Sequence, residues 1–313
     1  MFETEPILFL QSFATDLLTA FMAGVSAMGL VRFYIVAVSL VLFGVSFRKG
    51  FLLLQLLLWT GLLTSLLKAL IALPRPVDVD RAVRALGEGE VYRSSPGTDF
   101  GLPSGHVSGA AALWGGVAVL FRKRGLWIAP VVFIPLMALS RMYLGRHFLA
   151  DVLAGALLGI LMVLALRLAI RGERGIFAGR LEPATFGERV ATSRPARWRW
   201  TLALLGSPLI LLLVFPQMEA REVGRLFGIN AGFLAVAWRG LPRDEGSLLR
   251  RAGRVALGIL VYLAADAVLD RLVTSQSGGV LFFETTVESF LILWGTVEAA
   301  LKLRLYVRRD VKV

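Results

Sequence analysis

Long apolar runs recur along almost the whole chain, parted by short clusters of Arg and Lys, and no other feature restricts its fold as much. They lie at about Val31–Phe47, Phe51–Leu73, His106–Phe121, Trp127–Met142, His147–Ile170, Trp200–Pro216, Leu226–Trp238, Val255–Val273 and Val287–Tyr306. A helix needs about 20 apolar residues to cross roughly 30 Å of hydrocarbon. Several of the runs are short for that, Leu226–Trp238 most of all. Of the 313 residues 57% are hydrophobic and only 18% charged, and the mean hydropathy is +0.72. A soluble domain carries more charge. The sequence predicts an all-α polytopic membrane bundle of about nine crossing helices.

Ahead of these runs, residues 7–28 place Leu10, Phe13, Leu17, Phe21, Val25 and Met28 at helical spacing, with Gln11, Ser12, Thr15, Asp16 and Thr19 between them. That pattern predicts an amphipathic helix lying in the membrane interface, with a deep re-entrant helix as the alternative. The basic clusters then set the orientation. Arg48/Lys49, Arg122–Arg124, Arg171–Arg199, Arg239–Arg254 and Lys302–Lys312 fall on one side when the runs alternate, and positive charge marks the cytoplasm. The opposite side receives the N-terminus, the Val77–Leu102 loop, the turn near Gly145 and the Glu284 region. The expected setting is a prokaryotic cell membrane, with the C-terminus in the cytoplasm. A net charge of +12 distributed in this way argues for topology and against nucleic acid as partner.

The acidic start MFETEP lacks the basic n-region of a cleavable signal peptide. With no cysteine and two histidines, neither a disulfide nor a zinc site of such ligands is expected. Four regions follow: an interfacial segment 1–30, a core 31–170, an Arg-rich cytoplasmic linker 171–199 and further membrane helices 200–313. In the last, Asp266, Asp270 and Arg271 read as a helix-end ion pair, with a functional intramembrane pair as the alternative.

The polar chemistry concentrates at helix ends on the non-cytoplasmic side. His147 and Asp151 stand four residues apart, so on a helix they share a face about 6 Å apart. Asp151 can then fix one ring nitrogen of His147 and leave the other free as nucleophile or base. The plain alternative is a structural hydrogen bond. Six residues before His147, Arg141 offers a guanidinium for a tetrahedral oxyanion. Lys68 and Arg75 are two helical turns apart, about 10 Å along one face, with Pro74 and Pro76 stiffening the helix mouth. Snorkelling cations are the alternative there. Pro103-Ser104-Gly105-His106 opens the next helix. Its backbone N–H groups and the Ser104 hydroxyl can cradle an oxyanion, unless the stretch is an ordinary cap.

In combination, K-x6-R-P, P-S-G-H and S-R-x5-H-x3-D over Lys68–Asp151 resemble the type 2 phosphatidic acid phosphatase family. That family includes membrane lipid phosphatases, glucose-6-phosphatases and sphingosine-phosphate phosphatases, and soluble vanadium haloperoxidases share its pocket. The resemblance covers Lys68, Arg75, Pro76, Pro103, Ser104, Gly105, His106, Ser140, Arg141, His147 and Asp151. It implies that His147 attacks phosphorus to form a phosphohistidine while Asp151 stabilises the imidazolium. His106 would protonate the leaving oxygen and then activate water. Lys68, Arg75, Arg141, Ser104 and the Gly105 backbone would hold the phosphoryl oxygens, and Ser140 would give support. Three fixed cations in place of a metal imply metal-independent chemistry without a cofactor.

The partners expected are membrane lipids and a lipid phosphate or diphosphate such as undecaprenyl diphosphate or phosphatidate. A soluble phosphomonoester such as a sugar phosphate is the enzymatic alternative, because extra helices after the core resemble the layout of glucose-6-phosphatase. A non-hydrolysing lipid-phosphate binder or transporter is the other alternative. Nothing in the sequence bears on oligomeric state.

Overall fold

The computed structural model describes residues 2–87, 100–171, 198–199, 201–216, 218–272 and 277–307. Most of the expected linker 171–199, the middle of the Val77–Leu102 loop, the end of the basic tail and the Asp270 side chain lie outside the described residues. Helices follow one another as α1 (Glu5–Ser12), α2 (Asp16–Ala27), α3 (Val31–Ser39, continued by a π-helical turn Leu40–Val45), α4 (Phe47–Ile71) and the single turn α5 (Pro76–Val79). Next come α6 (Gly105–Phe121), α7 (Ile128–Tyr143, entered by a 3-10 turn) and α8 (Leu149–Arg171). The rest is α9 (Ser207–Val214, preceded by a π turn), α10 (Ala220–Arg239), α11 (Leu248–Leu272), α12 (Gly278–Phe290) and, after another π turn, α13 (Thr296–Lys302). Among the described residues there is no strand.

The described residues of the nine apolar runs are mostly helical. Five stretches are long and apolar enough to cross a membrane: Phe47–Val79, Arg124–Tyr143, Leu149–Arg171, Leu248–Leu269 and Gly278–Lys302. Gly105–Phe121 and Leu202–Val214 are apolar but shorter, and α2 with Val31–Val45 forms a pair bent by 55°. The N-terminal segment is two helices and not one. The break falls at Phe13–Thr15, where the Thr15 hydroxyl accepts from Leu18 N at 3.2 Å and caps α2.

The chain divides into two compact units. The first joins Met1–Tyr34 to Trp59–Arg167 and holds every motif residue singled out above. Its core gathers Ile7, Val25, Val83, Val107, Ala110, Met137, Met142, Phe148 and Val152. In α8 the glycines Gly155 and Gly159 point inward. A Cβ on Gly155 would lie 2.5 Å from Ser104 O, and one on Gly159 2.5 Å from the Ala111 Cβ, so α8 runs backbone-close to α6. Outward, Leu153, Leu157, Leu161 and Leu164 form an exposed stripe at helical spacing. A water-facing helix carries charge on that face, whereas hydrocarbon accepts leucine. The N-terminal pair likewise exposes Phe9, Phe13, Leu17 and Phe21.

The second unit, Ile35–Leu58 with Leu168–Val313, is built around Phe43, Phe47, Phe51 and Phe233. The Phe51 and Phe233 rings stack at 3.8 Å between centroids. Gly224, Gly228 and Gly232 recur every fourth residue of α10, where added Cβ atoms would lie 2.3 Å from Thr285 Oγ1, 2.2 Å from Thr286 O and 3.2 Å from the Leu293 Cβ. That spacing lets α12 and its π turn close onto α10.

Candidate active site

Helix ends of the first unit deliver the site. α7 stops at Tyr143, and the turn to α8 passes through Gly145 at φ +72°, where the Arg84 carbonyl oxygen would stand 2.4 Å from any Cβ. Only glycine fits both the left-handed backbone and that contact. The turn sets His147 directly before α8. There the His147 Nδ1 faces Asp151 Oδ2 at 3.3 Å, and the Phe148 N–H donates to the same oxygen at 2.9 Å. Both residues are 2% exposed. One carboxylate oxygen therefore takes two donors, which holds Nδ1 in its protonated tautomer and leaves Nε2 with its lone pair.

Cations converge on this ring. Burial pushes the His147 imidazole well below its ordinary range, and the charges of Arg141, Arg75, Lys68 and His106 act in the same direction, in that order. Lys68 rises from α4 and its Nζ donates to the Phe100 carbonyl. Past the end of α4, Ala72 turns left-handed, Pro76 starts α5, and Arg75 between them donates from Nη1 to Arg146 O at 3.2 Å. Arg141, in the last turn of α7 and 2% exposed, donates from Nη1 to Ser26 Oγ at 2.6 Å.

The third part is the start of α6. Ser104 occupies the N-cap position, yet its side chain makes no cap bond. Its Oγ is fully buried and has no hydrogen-bond partner among the described residues. A hydroxyl so placed is an unused donor, at the end of a helix whose first-turn N–H groups also lack intrahelical acceptors. The Ser104 N–H donates to Asp151 O at 2.9 Å, which fastens this turn to α8. Deeper in, Thr64 and Ser108 share a hydroxyl contact of 3.0 Å beneath Gly105.

The structure thus gathers all eight residues picked out by sequence, Lys68, Arg75, Ser104, Gly105, His106, Arg141, His147 and Asp151, into one unit. Ser140 faces elsewhere: its Oγ donates to Met22 O at 2.7 Å and ties α7 to α2. Five further residues border the site without a motif to announce them. Gly101 passes so close to Asp151 that a Cβ would lie 2.9 Å from Oδ2. Arg146 is a third buried arginine after Arg75 and Arg141, next in sequence to the nucleophile candidate. Ser26 and Gly29 come from the end of α2 and the turn after it. Gln11 of α1 donates to Arg84 O at 2.7 Å and to Tyr143 O at 3.0 Å. Among the described residues no three His, Cys, Asp or Glu side chains gather as metal ligands would.

Such a site can hold a tetrahedral dianion against three cations, one hydroxyl and a helix N-terminus, with a neutral imidazole nitrogen available to attack it. Comparison with known proteins agrees with that chemistry. Residues 49–174 match the family model of the PAP2 superfamily. A curated protein, Lipid A 4'-phosphatase of Bacteroides thetaiotaomicron, is 33% identical over 95 residues, which is 30% of this chain and 41% of that protein. The chain therefore spans under half of that relative's length. No solved structure matches.

Proposed function

We propose that this chain, whose residues 49–174 match the family model of the PAP2 superfamily, is an integral membrane phosphatase that hydrolyses a lipid phosphate or lipid diphosphate through a phosphohistidine on His147. The observation that carries the reading is the His147–Asp151 pair, buried, tautomer-fixed and surrounded by Lys68, Arg75 and Arg141. In the first step His147 Nε2 attacks phosphorus, the P–O bond to the leaving group breaks, and His106 gives that oxygen its proton. The imidazolium left on His147 is stabilised by Asp151 through Nδ1–H. In the second step His106 takes a proton from water as the water attacks phosphorus. The P–N bond breaks, inorganic phosphate is released, His147 recovers its free Nε2 and His106 its proton. The cations, Ser104 Oγ and the N–H groups of Gly105 and its neighbours hold the equatorial oxygens in both steps.

A lipid substrate is favoured by the exposed leucine stripe of α8 in the same unit, and by the similarity to the Bacteroides relative, a lipid A 4'-phosphatase. Phosphate release by the purified protein in detergent, from a panel of lipid phosphates, lipid diphosphates and sugar phosphates, tests this. The expected result is turnover of lipid substrates well above that of sugar phosphates. Tight lipid-phosphate binding with no release across the panel would make the protein a binder.

In the membrane the chain is read as nine crossings, the short helices included, with α1 and α2 in the outer interface and the basic clusters in the cytoplasm. Arg81 and Lys123 are both exposed, and the native chain has no cysteine to interfere. A cysteine at 81 should react with an impermeant maleimide on intact cells, and one at 123 only after lysis. The reverse pattern inverts the topology.

A further inference from the structure

The turn that closes α2 touches two of the proposed reacting groups at once. Ser26 accepts the Arg141 guanidinium at 2.6 Å, with both side chains buried. Three residues on, a Cβ built at Gly29 would stand 2.3 Å from the Cδ2 of His106, 2.8 Å from its Cγ and 3.0 Å from its Cβ. The Cβ–Cγ–Cδ2 edge of His106 therefore packs directly against the bare Cα of Gly29. Backbone freedom is not the reason for glycine here, because Gly29 is not among the residues with positive φ. The Gly29 N–H donates to Ser26 O at 2.8 Å, so both contacts belong to one hydrogen-bonded turn.

We infer that Ser26 and Gly29 are positioning residues of the phosphatase reaction. Ser26 aims the Arg141 guanidinium at the phosphoryl oxygens, and Gly29 supplies the seat that aims His106 at the leaving oxygen. The inference rests on the roles given above to Arg141 and His106. It makes the interfacial N-terminal helices part of the active site. Those helices expose Phe9, Phe13, Leu17 and Phe21 while Ile7, Gln11, Val25 and Ser26 face inward.

The two contacts predict different kinetic signatures. An Ala at position 29 pushes the imidazole aside without straining the backbone. Displacement of a reacting group by about 1 Å costs on the order of 10²-fold in rate. That loss applies where the leaving oxygen needs a proton. Gly29→Ala should slow an alkyl or lipid phosphate about 10²-fold and a nitrophenyl phosphate less than about tenfold, with vanadate inhibition unchanged. Ser26→Ala removes a hydrogen bond to a charged group and should weaken vanadate inhibition roughly tenfold, slowing both substrates alike. Ser26→Thr, which keeps the hydroxyl, should restore it. Gly24, on the same helix with open space around its Cα, is the control, and Gly24→Ala should behave as wild type.

Equal slowing of both substrates by Gly29→Ala overturns the seat. A Ser26→Thr variant as impaired as Ser26→Ala overturns the aiming role. If Gly29→Ala does not yield folded protein, the Ser26 pair decides for the turn. His106→Ala, run beside them, separates the levels. Absence of leaving-group dependence in His106→Ala removes the acid–base assignment itself. Its presence there and absence in Gly29→Ala removes only the positioning claim.

Discussion

Replacement of Asp151 by Asn and by Ala should give two very different losses, and the difference follows from one oxygen. In the histidine triads of serine proteases an Asn in this place turns its amide nitrogen to the imidazole, traps the wrong tautomer and costs about 10⁴-fold. Here the Phe148 N–H donates to Asp151 Oδ2 at 2.9 Å, the oxygen that also faces His147 Nδ1 at 3.3 Å. A second donor at that corner selects the oxygen end of an amide, so Asp151→Asn keeps Nδ1 protonated and Nε2 free. What disappears is the charge that stabilises the imidazolium. A hydrogen bond to a charged group contributes about 1.5–3 kcal/mol, so the Asn variant should lose roughly 10- to 150-fold. Asp151→Ala also loses the tautomer and leaves the Phe148 N–H buried without its acceptor, and should lose about 10³–10⁴-fold. Single-turnover rapid quench, following enzyme-bound phosphate and released alcohol in protein shown to be folded by its melting curve, measures both. Equal losses in the two variants would refute the shared-oxygen argument. An Asn variant within twofold of wild type would remove Asp151 from the mechanism.

Three further outcomes are expected. Gly159→Val would drive side-chain atoms into Ala111 and Ser108 of α6, where even a Cβ lies 2.5 and 2.6 Å away. Overpacking of this kind costs about 1–3 kcal/mol or more, seen as a lowered melting temperature in detergent, and an unchanged melt would contradict the close α6–α8 approach. The nucleophile acts deprotonated and its pKa is depressed by burial and four neighbouring charges, so the acid limb of kcat/KM due to His147 must lie below pH 6.5, the ordinary imidazole value. Neutralising Arg141 should move that limb to higher pH, and a limb already above pH 6.5, or one that moves lower, would reverse that sign. With Lys68, Arg75 and Arg141 offsetting phosphoryl charge, chelators should leave the rate unchanged and vanadate should inhibit, whereas loss in chelator restored by magnesium would show a metal step.

What the sequence made legible was local. His147 and Asp151 meet because i and i+4 share a helix face, and Pro103–His106 begins a helix because its residues suit a helix start. The apolar runs likewise mark helices, since burial in lipid or core needs nothing but hydrophobicity and length. Contacts between distant segments had no such signal. Ser26 is 115 residues from Arg141, and a serine within an apolar helix looks like any other small residue. Gly29 reads as a turn glycine until the His106 ring is seen against it. The split between α1 and α2 was missed because the hydrophobic period runs on through Phe13, while the Thr15 cap that ends it is a single side-chain bond. Arg146 and Gly101 escaped for a related reason. Their place at the site is set by the folding of the loop after α5 and the turn before α8, not by spacing within one helix.

The central claim is a covalent bond between phosphorus and His147. Protein mixed with a lipid phosphate labelled at phosphorus and quenched within milliseconds should carry label that is lost in acid and stable in base, as a phosphohistidine is. Peptide mapping should place it at His147, and His147→Ala should carry none while still inserting in the membrane. Full phosphate release by the wild type with no enzyme-bound label at any quench time, or label and turnover retained in His147→Ala, would contradict the account.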